Sequence, residues 1–423
     1  MRVFKFGGAS VKDAEGVRNV TRILRMFPDE RVMVVVSAMG KTTNKLEALW
    51  KAYVKRDDTK PHLEGIRQCH KEIVNELFGE KAGPVLDDVD NTLVEIEWIL
   101  EETPQHHPDF YYDQMVSIGE MLSTRIVSAY VNAEGVANTW LDARDLIRTD
   151  NTYRDGRIDW ETTGAMTRSA AERAFSKTDV CITQGFIGGT DENFTTTLGR
   201  EGSDFTAAIL AYCLDAEEVV IWKDVPGVLN ADPKWFDDTV LLPRISYKDA
   251  VELAYFGTSV IHPKTIKPLQ NKNIPLRVKS FVNPAAEGTI VCGEDIPMPV
   301  PSFIFRMDQV LISIMPLDYS FIVENNLRDI FTRFAQHGVR INVMQNSAVS
   351  FAVAVDNDPD RLAELVTDLE HDFKVAVQEG LELITIRYFD DATIARVLVN
   401  KKVLMELKSG NTVQMVVRQR SAD

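Results

Sequence analysis

The sequence predicts an α/β protein in two parts: a three-layer αβα domain with a mainly parallel sheet, then a ferredoxin-like region. Three observations predict this. Short, almost wholly apolar runs, such as 31–36 (RVMVVV) and 180–187 (VCITQGFI), alternate with amphipathic helical stretches, as buried parallel strands do. Polar, glycine-bearing motifs follow several of those runs, at the strand ends where open α/β sheets bind ligands. Residues 295–302 (DIPMPVPS) hold three prolines in eight residues and mark a boundary, beyond which the element order becomes βαββαβ.

Taken in order, residues 2–6 read as a strand with apolar Val3 and Phe4 and a lysine, Lys5, near its end. Gly7 and Gly8 follow, and then a helix in which Val17, Val20, Ile23 and Leu24 repeat at helical spacing. Strand, double glycine and helix form a plan for holding phosphate: glycines let backbone N–H groups approach an anion, the helix N-terminus is partly positive, and Lys5 adds a full charge. An ordinary strand-to-helix turn is the competing reading of this stretch alone. The run 31–36 ends in Ser37-Ala38-Met39-Gly40-Lys41-Thr42-Thr43, which is no Walker A motif because Val35 stands where that motif needs glycine.

Residues 44–101 read as amphipathic helices, broken near 57–61 and 79–84, with Val89, Leu93, Ile96, Ile99 and Leu100 as one packing stripe. His106-His107-Pro108 is a loop before a helix rather than a metal pair, since no ligand set surrounds it. A single helix is expected over 114–131, carrying Glu120 beside the apolar face of Met115, Ile118, Met121 and Leu122. A strand at 136–141, a turn-rich segment at 149–159, a helix at 163–175 and a strand at 180–187 follow, the last leading into a glycine hairpin at 188–191. A second polar glycine loop, TTTLGREGSD at 195–204, opens into an apolar helix over 207–214. Strands at 219–222, 274–278 and 289–291 and helices at 247–256 and 263–271 complete the first domain. Past the boundary come a strand at 310–315, a helix through Leu327, Ile330, Phe331, Phe334 and Ala335, strands at 339–343 and 350–355, a helix at 359–369 and a strand at 373–377. The tail, with strands expected at 383–388, 403–407 and 413–417, is too short for a complete second unit.

At 423 residues, two to three domains are expected, with ample length for a core. A net charge of −16 argues against nucleic acid as a partner, so any anion site must be locally positive. Cys69, Cys181, Cys213 and Cys292 show no CxxC spacing, which points to a reducing, cytoplasmic compartment and no structural zinc or other protein-held metal. No run approaches a membrane span, and no secretory apolar region precedes the first strand.

KFGGASV at 5–11, SAMGKTTN at 37–44, SIGEMLSTRI at 117–126, TTTLGREGSD at 195–204, WKDVPGVLNADP at 222–233 and FGTSVIHPKT at 256–265 together resemble the aspartate kinases of the amino-acid kinase family. The six matches fit in order and spacing over roughly the first 290 residues. The helix ending at His337-Gly338, followed by VRINVM, resembles the ACT regulatory domain. The implied organisation is a catalytic domain at 1–295, an ACT domain at 303–380 and a partial second ACT unit at 381–423.

The resemblance implies phosphoryl transfer from MgATP to the side-chain carboxylate of L-aspartate, the first step toward lysine, threonine and methionine, and a homodimer or larger homo-oligomer paired through ACT units. The nucleophile is already ionised, so positive charge and positioning must do the work. Carried over residue by residue, the catalytic pair is Lys5 with Asp204 to aim it. Thr43, Glu120, Arg200 and Ser203 would bind aspartate, Glu120 taking the ammonium and Arg200 the α-carboxylate. Lys5, Phe6, Gly7, Gly8, Ser37, Lys223, Asp224, Leu229, Lys234 and Ser259 would bind the nucleotide. The sequence departs from the family at Glu201, where glycine is frequent, at Lys223, where threonine is common, and at Ser259, where lysine is common. Lys223 or Lys264 is expected to restore a cation near the phosphates. Asn342 and Ala348 stand where lysine-inhibited relatives have acidic residues, so strong lysine inhibition is not expected, whereas Asn342, Gln345 and Ser347 suit a neutral amino acid as effector. A sibling amino-acid kinase and a catalytically weak, ATP-binding amino-acid sensor are the competing readings.

Overall fold

Strand β1 (Arg2–Phe6) lies in the interior of an eight-stranded sheet, and the strand ends around it carry the motifs. The computed structural model describes residues 1–258, 261–294, 296, 298, 300–318 and 320–420. The chain divides into two compact units: residues 1–228, 243–251 and 260–296, and residues 229–242, 252–259 and 297–423.

In the first unit β1 is followed by α1 (Ala14–Leu24), β2 (Val32–Val36), α2 (Thr42–Lys55), α3 (Lys60–Phe78), α4 (Gly83–Glu101), α5 (Pro108–Val116) and α6 (Ile118–Ala133). Then come β3 (Asn138–Leu141), α7 (Trp160–Phe175), β4 (Val180–Gln184), the hairpin β5 (Ile187–Gly189) and β6 (Thr195–Thr197), α8 (Gly202–Cys213), β7 (Glu218–Lys223) and β8 (Arg244–Ser246). Helix α9 (Tyr247–Phe256) runs from the first unit into the second, and α10 (Pro263–Lys272), β9 (Leu276–Ser280) and β10 (Thr289–Cys292) finish the first. The sheet order is β3-β4-β2-β1-β7-β9-β10-β8, parallel except for the β9–β10 pair.

Strand alternation sets what each face of β1 does. Phe4 and Phe6 are fully buried in a core shared with α1, α2 and α6, and Phe6 stacks on Trp222 of β7 at 6.1 Å. Lys5, between them in sequence, points to the other face, toward α8. The continuous burial of β2 and β4 is what a parallel sheet covered on both faces requires.

Two expectations need correction here. The helix expected over 114–131 is two helices, α5 and α6, parted at Ser117, whose hydroxyl donates to the Gln114 carbonyl at 3.0 Å and caps the first from within. The strand expected to run to residue 187 stops at Gln184, because Phe186 takes a left-handed φ of 70° and turns the chain into β5. Gly185 allows this turn: a Cβ there would lie 2.5 Å from that of Ser203.

The second unit is a six-stranded antiparallel sheet of β11 (Ser302–Pro316), β12 (Ile341–Asn346), β13 (Phe351–Asp356), β14 (Phe373–Arg387), β15 (Lys401–Ser409) and β16 (Thr412–Gln419), with α11 (Glu324–Gln336), α12 (Pro359–Leu369) and α13 (Asp391–Val397). Its order, β12-β13-β11-β14-β16-β15, contains one four-strand pattern twice. The stretch of β11 from Gln309 to Pro316 and the first part of β14 complete β12 and β13 around α11 and α12. Residues 302–306 of β11 and the last part of β14 complete β16 and β15 around α13. The fourth strand of the second pattern therefore comes from ahead of the first pattern in sequence, which a reading of the tail alone does not supply.

Candidate functional site

The C-terminal ends of β1, β2 and β4 open onto a cavity of about 480 Å³. It is lined by Lys5, Gly8, Ser37, Ala38, Thr43 and Glu120, together with Tyr112, Arg154, Phe186, Thr197 and residues 199–203. Loop β1–α1 and loop β2–α2 are stitched together by the Gly40 N–H donating to the Gly8 carbonyl at 2.9 Å. That contact is why position 8 is glycine: a Cβ there would stand 2.6 Å from the Ala38 oxygen and 3.1 Å from that of Gly40. Gly8→Ala is accordingly expected to cost about 1–3 kcal/mol of stability, read by urea unfolding, with weakened ATP binding in the folded fraction.

Lys5 is buried, and its Nζ lies 2.6 Å from Asp204 Oδ1 at the start of α8. Lys223, at the end of β7, approaches Asp204 Oδ2 at 3.5 Å, so one carboxylate holds two ammonium groups. Burial alone would raise the Asp204 carboxyl, but the charges of Lys5 and Lys223 outweigh it and hold the group below its ordinary value. The expected cation near Lys5 is thus Lys223. Lys264 does not serve there: it forms an ion pair with Asp155 and lines a separate groove with Arg157, Trp160 and Tyr212.

Glu120 sits in the first turn of α6, fully buried, with Oε1 accepting the Ala38 N–H at 3.2 Å and Oε2 without a hydrogen bond among the described residues. Burial pushes its carboxyl up to about 8, against the Ala38 N–H and the Lys5 charge, which pull it down. A cation placed in the cavity would draw the proton off. Thr43 lies in the first turn of α2, and Ser203 is buried in the first turn of α8. Arg200 is exposed on the turn before α8, and its guanidinium makes no ion pair among the described residues. Glu201 takes a left-handed φ of 55° at the N-cap of α8, so a glycine-like conformation survives there without glycine.

The remaining expected residues are distributed as follows. The Phe6 side chain is in the core, and Gly7 and Ser37 flank the cavity loops. Asp224 is exposed just past β7. Leu229 and Lys234 belong to the second unit, where Leu229 bridges to Leu241 and the Lys234 N–H donates to Asp232. Ser259 lies outside the described residues. In the second unit, Asn342 spends both amide hydrogens on Gln309 and Asp356, and its oxygen accepts from Arg306. Gln345 and Ser347 are exposed, the latter bonded to Ser350.

Sequence reasoning missed Tyr112, Asp113, Arg154, Phe186 and Thr197. Asp113 is wholly buried and accepts from the Arg154 N–H, the Thr197 N–H and the Thr197 hydroxyl, at 2.9, 2.8 and 2.7 Å. It ties α5 to the 149–159 segment and to β6 across 41 and 84 residues of chain. No periodicity signals such a junction.

Residues 1–280 match the Amino acid kinase family. Aspartokinase 2, chloroplastic, of Arabidopsis thaliana is 32% identical over 440 residues, covering 98% of this chain and 78% of its own length. Lysine-sensitive aspartokinase 3 of Escherichia coli is 31% identical over 394 residues, covering 91% of this chain and 86% of its own. The structure of E. coli aspartokinase III with aspartate and ADP, in its R-state, superposes with a TM-score of 0.81 at 28% identity, covering 99% of this chain and 96% of that one. The T-state of the same protein with lysine and aspartate gives 0.84, also at 28% identity, covering 98% and 95%.

Proposed function

The chain belongs to the amino acid kinase family and, within it, to the aspartokinases, and on that footing we propose which of its residues carry the reaction. It phosphorylates the side-chain carboxylate of L-aspartate, giving 4-phospho-L-aspartate, the first step toward lysine, threonine and methionine. The bond from the γ-phosphorus to the β,γ-bridging oxygen breaks as a carboxylate oxygen bonds to that phosphorus, and ADP leaves with the electron pair. The nucleophile needs no base; the obstacle is bringing a carboxylate to a polyanion.

One observation carries the assignment of roles: Lys5 held against Asp204, beside the Gly8 backbone, in a cavity whose polar lining includes Glu120, Thr43 and Arg200. Lys5 neutralises the phosphoryl group in transit, seconded by Lys223. Gly7 and Gly8 offer backbone N–H groups to phosphate oxygens, with Ser37 beside them. Glu120 receives the substrate ammonium, Arg200 its α-carboxylate, and Thr43 and Ser203 donate to its carboxylate oxygens. Asp224, just past β7, adds a contact to the nucleotide. Mg²⁺ carried on the phosphates of ATP would lower their charge, leaving Lys5 and Lys223 to meet the remainder. The second unit serves as a pair of ACT-type regulatory units through which the chain dimerises, with Asn342, Gln345 and Ser347 toward a neutral amino-acid effector. A cytoplasmic location fits four free cysteines.

The test is ADP release with ATP plus L-aspartate or L-glutamate, with and without excess chelator. Turnover is expected with aspartate and Mg²⁺ only. Equal turnover with glutamate would move the chain to another substrate, and turnover undiminished by chelator would remove Mg²⁺ from the account.

A further inference from the structure

We propose that Arg154 is a specificity-determining residue of the substrate site, supplying a second guanidinium, besides that of Arg200, to the α-carboxylate of the amino-dicarboxylate. This rests on the aspartokinase reading above.

Arg154 takes a left-handed φ of 67°, a conformation that costs a side-chain-bearing residue free energy and suits glycine. The structure holds it there: its N–H donates to buried Asp113, which is itself fixed by Thr197. The guanidinium then lies 4.1 Å from the centre of the Tyr112 ring and 5.5 Å from that of Trp50, so two aromatic rings flank it and limit its motion. Both rings and the arginine border the substrate cavity or the face of α2 beneath it.

That face explains what the guanidinium can reach. Thr43, Glu47 and Trp50 stand at i, i+4 and i+7 on α2, one above the other. Arg154 is paired with Glu47 at 3.8 Å and Asp109 at 3.4 Å, both loose contacts to partly exposed carboxylates. It is therefore one helical turn from Thr43, with donors left over. A substrate carboxylate at Thr43 comes within reach of a guanidinium held between aromatic rings, a group whose fork can bind a carboxylate bidentately. The same group faces Glu47, whose charge would otherwise repel a substrate carboxylate. Glu120 accounts for the ammonium and the reacting carboxylate must face the phosphoryl group at Lys5, so the α-carboxylate is the group this arginine fits.

The experiment compares the full-length wild type with Arg154→Gly and Arg154→Lys, assaying L-aspartate and its α-amide, L-isoasparagine. Glycine is at ease at this φ, so Arg154→Gly should fold at least as stably as wild type, which thermal unfolding checks. The KM for aspartate is expected to rise about ten- to hundredfold, with kcat and the KM for ATP within about twofold. The preference of wild type for aspartate over the α-amide should shrink by a similar factor, and Arg154→Lys should restore part of it. A KM for aspartate within about twofold of wild type in both variants, or a preference unchanged in Arg154→Gly, would overturn the proposal. A wild type that turns over neither compound would overturn the parent reading, and this one with it, before any variant is made.

Discussion

Lys5→Ala should lower kcat about a hundred- to thousandfold while leaving the KM for aspartate nearly unchanged. Lys5 is the buried cation at the end of the central strand, and the transition state spreads negative charge over the transferring phosphoryl group. Removing it also strands the buried Asp204 carboxylate, with Lys223 at 3.5 Å as its remaining recorded counter-charge. Breaking such a pair from one side costs about 3–5 kcal/mol, a figure Lys223 should reduce. Two effects are then mixed in the single variant, and a second variant separates them. Lys5→Met with Asp204→Asn removes both charges, so stability in urea should recover toward wild type while kcat stays low. If kcat recovers along with stability, Lys5 acts through folding and not through the phosphoryl group.

Glu120→Gln should raise the KM for aspartate about ten- to hundredfold at pH 8 and above, and less at pH 6.5. The pH dependence follows from the direction of the shift. Burial raises the free carboxyl to about 8, so below that pH the site starts out protonated. The substrate ammonium favours the carboxylate, so binding expels a proton, and the KM for aspartate should fall as pH rises toward 8. Above that, it levels off. Calorimetric titration of aspartate in buffers of different ionisation enthalpy should register proton release near pH 7 in wild type and none in Glu120→Gln. The same raised value makes Glu120 unfavourable to folding once ionised: its contribution to stability declines as pH rises from the ordinary carboxylate range through about 8. Equal proton release in both proteins would mean that Glu120 does not meet the ammonium.

Much of the fold is legible because it follows from local rules. Apolar runs such as 31–36 have one stable use in a chain of this kind, and β1, β2, β4 and β7 come out close to where periodicity puts them. What sequence hides is where a run ends for a tertiary reason. Residues 114–131 keep an apolar face throughout, so nothing in the pattern announces the break at Ser117. Residues 302–306 carry no signal that they will pair with 383–387 rather than with a neighbour in sequence.

The site divides in the same way. Lys5, Gly8 and Asp204 belong to short motifs whose residue types state their chemistry, and the fold brings the two charges to 2.6 Å across 199 residues of chain. Arg154 is invisible for the opposite reason: left-handed positions are recognised by glycine or asparagine, and here three hydrogen bonds to Asp113, not the residue type, fix the conformation. Of the two lysines the sequence offers near the phosphates, Lys223 lies at Asp204, whereas the ammonium of Lys264 turns to Asp155, which no motif spacing announces.

The central claim is that Lys5 aims positive charge at a phosphoryl group moving onto aspartate. Trapping the acyl phosphate with hydroxylamine tests it most directly, using ATP, Mg²⁺ and L-aspartate with the wild type and with Lys5→Met, Asp204→Asn. The account predicts aspartyl hydroxamate from wild type, none from glutamate, and at least a hundredfold less, in order of magnitude, from the folded double variant. Hydroxamate formed by that variant at the wild-type rate would contradict it.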